Sequence, residues 1–147
     1  MPLPEEPSRI LRERIKKHEG FSSDPYLDTL GHITIGFGHK VQSVSYHEAE
    51  RLLDTDLRQA RIQATTLFSE LWLRLNDTRR DVLTEMVFQM GKTGVSKFVK
   101  MRQALVNQDY DTAAQEMMKS RWYEQSKGRC TYLAYLMLHG KVLEPED

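Results

Sequence analysis

The sequence holds one cysteine, Cys130, so no internal disulfide can staple the fold, which must stand on packing alone. It has no net charge, because 21 Lys and Arg balance 21 Asp and Glu. That removes the usual signature of a nucleic-acid partner, a net basic domain or a basic stripe. Long apolar runs are missing too: the longest, Tyr132 to Leu138, is far short of a membrane span. The start, Met1-Pro2-Leu3-Pro4-Glu5-Glu6-Pro7, has no basic region followed by an apolar core and does not read as a secretory signal. Neither His18-Glu19 nor His47-Glu48 has a second histidine at the spacing of a helical zinc site, since Ser22 and Arg51 stand there. There are no Cys pairs for structural zinc, no G-x-S-x-G and no Walker A run. No metal and no cofactor is expected. Carboxylate chemistry is what remains.

What is present is an ordinary globular mix, 39% hydrophobic and 29% charged over 147 residues, enough for one domain with a core. Residues 1–7 read as a loose arm. Ser8 can cap a helix with Ile10, Leu11 and Ile15 on one face, stopped by Gly20. From Phe21 to Gly38 the character changes. Asp28-Thr29-Leu30-Gly31 suits a type I turn, and His32-Ile33-Thr34-Ile35 alternates, so a β-hairpin is expected.

After Ser45 the pattern is helical. Ser45-Tyr46-His47-Glu48 has the form of a capping box, followed by a stripe of Leu53, Leu57, Ala60, Ala64 and Leu67. A further helix starts at Asn76 or Asp77 and stops at Gly91. Shorter helices are expected over about 96–106, 109–119 and 127–138, the last ending at Gly140 before an acidic tail from Glu144. The fold class is α+β, mostly α.

Glu19 stands out. It occupies the last turn of the first helix, where the dipole favours cations such as Lys16, Lys17 and His18 and disfavours a carboxylate. A local rule broken without evident gain marks a place to look for function. Asp28 alone could simply open a turn. Thr34 shares a strand face with His32 and Gly36. If Ile33 and Ile35 face the core, Thr34 looks outward.

The run His18-Glu19-Gly20, Tyr26-Leu27-Asp28 and Gly31-His32-Ile33-Thr34-Ile35-Gly36-Phe37-Gly38-His39 resembles the active-site signature of phage-type lysozymes, the endolysins of glycoside hydrolase family 24. The family separates its Glu, Asp and Thr by nine and fifteen residues from the Glu onward, as 28 − 19 and 34 − 19 do here. Two more blocks are similar: Met86 to Val95, and Ala113-Ala114 with Lys119-Ser120-Arg121-Trp122-Tyr123. The resemblance runs collinearly over about residues 9–130.

By that resemblance Glu19 is the general acid, and Asp28 and Thr34 position the attacking water in an inverting glycosidase. Phe88, Gln89, Glu116, Arg121 and Arg129 are the substrate-binding set, with Arg129 expected to face Glu19 across a cleft. The substrate implied is the bond between N-acetylmuramic acid and N-acetylglucosamine in bacterial peptidoglycan. The fold implied is a single domain with a small β-lobe over about 20–45 and a helical lobe from 8–19 and 46–140. The setting implied is a monomeric endolysin, made in the host cytoplasm and dependent on a holin, with no membrane insertion and no nucleic acid. A lysozyme used in host penetration is the alternative role; that nothing follows residue 147 to attach it to a tail favours release. A peptidoglycan-binding module with weak or no catalysis, because of the shortened β-lobe, is the alternative activity.

The chain departs from the family in places. Only Lys40 to Val44 separate His39 from Ser45, so the third strand and a small helix of the β-lobe are expected to be missing. Lys40 stands where the family has a leucine, Glu116 where it has an asparagine, and Met101 where it has a serine.

Overall fold

The computed structural model describes residues 6–142. Residues 1–5 of the expected arm and the acidic tail from Glu144 lie outside the described residues. In chain order the elements are α1 (Arg9–Glu19), β1 (Ser22–Leu27), β2 (Ile33–Gly36), β3 (His39–Lys40), α2 (Tyr46–Leu67), α3 (Asp77–Ser96), α4 (Val99–Val106), α5 (Tyr110–Met118), α6 (Arg121–Gln125) and α7 (Lys127–His139). A 3-10 turn, Trp72–Arg74, precedes α3. This is the mostly helical α+β layout expected. The chain divides into two compact units, residues 1–46 and 47–147.

In the first unit, Ser8 Oγ accepts the Leu11 N–H at 3.1 Å and starts α1. Gly20, at φ 71°, ends it and donates its N–H to Lys16 O at 2.9 Å. The apolar face of α1 is not part of a core: α1 buries no residue, and Ile10 is 78% exposed. So small a unit has little surface under which to hide a stripe.

The sheet is antiparallel, in the order β1-β2-β3. Tyr26 and Leu27 pair with Thr34 and Ile33, and the β1 register breaks between Ser22 and Tyr26, where Pro25 lacks an amide to donate. The expectation of a missing third strand is corrected. A two-residue rung survives, pairing Lys40 with Thr34 and His39 with Ile35. A second correction concerns the faces of β2. Thr34 is fully buried while Ile33 is 51% exposed, so the threonine points inward. Alternation identifies which residues share a face and is blind to which face packs.

The second unit carries the main core. Val82, Leu83, Met86 and Val87 of α3 pack with Met101 and Leu105 of α4, Ala113 and Met117 of α5, and Cys130, Leu133 and Met137 of α7. Truncating one such Leu or Met to Ala typically costs about 2–5 kcal/mol. The expected stripe of α2 is buried only in its second half, at Ala60 and Ala64; Leu53 and Leu57 are exposed.

Asn76 Oδ1 caps α3 by accepting the Arg79 N–H at 3.0 Å. Gly91 stops the first helical run as expected, and a second run follows it within the same span. Its φ of 79° and ψ of 163° interrupt the helical run, which resumes to Ser96. The α7 C-terminus is tied to the start of α3. Arg79 donates to Met137 O at 2.7 Å and Leu138 O at 2.9 Å, and Asn76 Nδ2 donates to Gly140 O at 2.8 Å. Those bonds satisfy carbonyls that a helix end leaves without partners.

Candidate active site

Glu19, Asp28 and Thr34 all lie in the first unit. Glu19 is the last residue of α1 and is exposed. The turn between β2 and β3 closes on it at Gly38, where an added Cβ would stand 2.9 Å from the Glu19 Cδ and Oε2. Gly38 also sits at φ 76°, a conformation L side chains rarely adopt. Glycine is therefore required twice over, for backbone shape and for the carboxylate beside it. Phe37 stacks near Phe21 with ring centroids 5.4 Å apart, and the Lys16 ammonium lies 5.4 Å from the Phe37 ring, fastening this turn to the end of α1.

Asp28 opens the turn between β1 and β2 as the sequence suggests, with the Gly31 N–H donating to Asp28 O at 3.0 Å. Its side chain does more than that. Oδ1 accepts the amides of Leu30 at 2.9 Å and His32 at 2.7 Å. Oδ2 stands 2.7 Å from Lys40 Nζ and 3.3 Å from His32 Nδ1. The Lys40 hydrogen bond, followed by the His32 amide, holds the Asp28 carboxyl far below the usual carboxylate range, against a smaller desolvation effect. The same bond raises the Lys40 pKa, and Glu19 and Tyr26 add to that through their charge. Thr34 pairs directly across from Lys40, and its Oγ1 donates to His32 O at 3.0 Å.

The three sequence-marked residues thus gather around a fourth, Lys40, which stands out in the sequence only as a departure. Its signal was its register: a strand after Gly38 places it opposite Thr34. His32, whose backbone and ring both reach Asp28, carried no signal beyond alternation.

The substrate-binding candidates lie in the second unit and divide between two grooves. One, of about 720 Å³, is lined by Leu57 and Arg61 of α2, Asp81, Glu85 and Phe88 of α3, and Arg129 of α7. Phe88 offers a partly exposed ring there. The Arg129 Nε donates to Glu85 Oε2 at 2.7 Å, and Arg61 donates to Asp81 at 2.8 Å.

The other groove, of about 600 Å³, holds Glu116 and Arg121 with Phe98, Met101 and Trp122. Glu116 is paired with Lys119 at 3.7 Å. Gln89 lines neither groove. Its Oε1 accepts the indole N–H of buried Trp122 at 3.0 Å, and its Nε2 donates to Ser126 Oγ at 3.0 Å. Both ends of the amide are engaged inside the protein, so Gln89 holds α3 to α6 and to the start of α7. Among the described residues no cluster of three or more His, Cys, Asp or Glu side chains could hold a metal ion.

Comparison with known proteins matches residues 16–135 to a family described as phage lysozyme, a span that includes every residue placed above in a candidate role. The pre-baseplate central spike protein Gp5 of Enterobacteria phage T4 is 28% identical over an alignment covering 97% of this chain. The chain spans only 30% of that protein's length. "Probable T4-type lysozyme 2" of Dictyostelium discoideum is 29% identical, with 91% of this chain and 96% of the relative aligned. "Probable T4-type lysozyme 1" of the same organism is 26% identical, over 81% of this chain and 88% of the relative.

Proposed function

The chain belongs to the phage lysozyme family, a family of glycoside hydrolases, and from that premise we propose that it cleaves the bond between N-acetylmuramic acid and N-acetylglucosamine in bacterial peptidoglycan with inversion. The observation that carries the reading is the pairing of two unlike carboxyls in one small unit. Glu19 is exposed at a helix end, while Asp28 is held ionised by Lys40 and two amides. Acid and base assignments follow from carboxyls whose surroundings differ in this way.

Glu19 donates a proton to the leaving glycosidic oxygen. Asp28 orients a water on the opposite face of the sugar and takes its proton as the bond to the anomeric carbon forms. Thr34, fully buried with its hydroxyl on the His32 carbonyl, acts by holding the strand beside it. Inverting enzymes keep their carboxyls about 6.5–9.5 Å apart to admit that water. Phe88 and Arg129, which line one groove of the second unit, and Glu116 and Arg121, which line the other, are the proposed saccharide contacts of that unit.

The setting we infer is release of progeny phage. The chain is made in the host cytoplasm, passes a holin-type pore and acts as a monomer on periplasmic peptidoglycan. Alignment along 96% of a protein named as a probable T4-type lysozyme supports the activity in either setting. Among the described residues no helix is long and apolar enough to cross a membrane. The 97% coverage by the spike-protein alignment favours a second setting, local wall opening during host penetration.

A peptidoglycan-binding module without catalysis is the rival activity. The occupation of Asp28 by Lys40 is the observation on its side. Turbidity loss of permeabilised Gram-negative cells, with reducing ends analysed on the released fragments, tests the reading. New N-acetylmuramic acid reducing ends support hydrolysis. Binding to sacculi without new ends supports the rival.

A further inference from the structure

We propose that Lys40 is a specificity-determining residue that senses negative charge on the glycan strand: in the free protein its ammonium is held on Asp28, and a carboxylate of the bound strand draws it away, freeing Asp28 to hold water. The proposal rests on the hydrolase reading above and deepens it, to strands that carry free carboxylates.

The geometry carries it in two steps. An ionised carboxylate offers about four lone-pair directions. Oδ1 of Asp28 takes the Leu30 and His32 amides at 2.9 and 2.7 Å. Oδ2 takes Lys40 Nζ at 2.7 Å and His32 Nδ1 at 3.3 Å. Three are filled and the fourth faces the His32 ring nitrogen, so departure of Lys40 is what opens a place for the O–H of a water. The two amides belong to the turn and leave only if it opens. The side chains of Lys40 and His32 are 43% and 58% exposed and can swing away. Of these two contacts, the Lys40 bond is the shorter.

The second step is electrostatic. Glycoside hydrolysis passes through an oxocarbenium-like state that develops positive charge on the sugar. An ammonium 2.7 Å from Asp28 cancels the negative field that this state requires. The charged or titratable groups that face Lys40 are Asp28, Glu19 and Tyr26, with His32 on the same Asp28 oxygen. Asp28, Glu19 and Tyr26 all attract the ammonium rather than expel it. An incoming carboxylate is the group that can draw it away. Stem peptides of peptidoglycan carry free carboxylates; neutral N-acetylglucosamine oligomers do not.

The test compares initial rates on purified sacculi with rates on the same sacculi after their carboxyls are capped as methylamides. The native chain, Lys40→Arg and Lys40→Met are each assayed. Other cations on the protein also sense charge, so the readout is the change in the rate ratio between the two polymers. The native chain and Lys40→Arg are expected to prefer the uncapped polymer by about tenfold or more, and Lys40→Met by no more than about twofold. A native-like preference in Lys40→Met overturns the proposal. A native chain that releases no fragments from either polymer overturns the hydrolase reading instead. The exchange is then decided by carboxyl NMR of Asp28 titrated with a soluble disaccharide-peptide. A raised Asp28 midpoint on binding supports exchange, and an unchanged midpoint rejects it.

Discussion

Gly38 packs its bare Cα against the Glu19 carboxyl, so closely that an added Cβ would sit 2.9 Å from Glu19 Oε2. Gly38→Ala therefore meets two penalties. The left-handed backbone at φ 76° costs an L residue about 1–2 kcal/mol, and the methyl pushes the carboxyl from its place. The variant should melt at lower temperature and lose at least about tenfold in kcat, since a misplacement near 1 Å is costly to positioned groups. Thermal unfolding and single-turnover lysis measure the two effects separately. Unchanged kcat in a folded variant would mean that the turn does not position Glu19.

The Asp28–Lys40 pair makes stability depend on pH in a definite direction. The folded pKa of Asp28 lies below its unfolded value, so its contribution is present above about 3.9 and is lost as pH falls through the folded pKa. Lys40 is raised, so its share is present below about 10.4 and is lost as pH rises through its folded pKa. Native chain and Asp28→Asn should differ most near neutral pH and converge under strong acid. Denaturant unfolding at a series of pH values reads this, and a gap that widens on acidification would contradict it.

Gln89 is expected to matter for stability beyond any contact with sugar. Gln89→Leu leaves the indole N–H of Trp122, a 4% exposed residue, without its acceptor. An unsatisfied buried donor costs about 1–3 kcal/mol. Trp fluorescence and the melting temperature should both change, and a variant as stable as the native chain would show the bond to be dispensable.

Cys130 should be inert while the chain is folded. Its thiol is fully buried, and desolvation pushes its pKa up to about 11. Reaction with a thiol reagent at neutral pH should follow the global unfolding rate across a denaturant series. Rapid labelling under native conditions would show that the core around α7 opens locally.

Much of this architecture was legible because its boundaries are local chemistry. Ser8 and Gly20 bracket α1, Asn76 caps α3, and Gly140 closes α7, each through bonds spanning three or four residues. The misses depend on distant partners or on shortness. β3 is two residues long and exists only by pairing with Thr34 and Ile35. α6 and the Trp72–Arg74 turn are too short to show a period. The inward face of β2 could not be read from alternation, because Ile33 and Thr34 exchange roles if the other face packs. In the site, the spacing from Glu19 to Asp28 and Thr34 was visible. The hold of Lys40 on Asp28 was not, since it needs the register of a strand twelve residues on.

The central claim, that Glu19 is the acid of a muramidase, is tested most directly by Glu19→Gln. The carboxylate is exposed at the C-terminal end of α1, where the helix dipole does not favour it. Glutamine should therefore keep or slightly raise the melting temperature. Glutamine cannot give a proton to the leaving oxygen, and general-acid help is worth about 10²–10⁴-fold. The account predicts that release of reducing ends from purified peptidoglycan falls by about two orders of magnitude or more in a variant as stable as the native chain. Near-native release by that folded variant would contradict it.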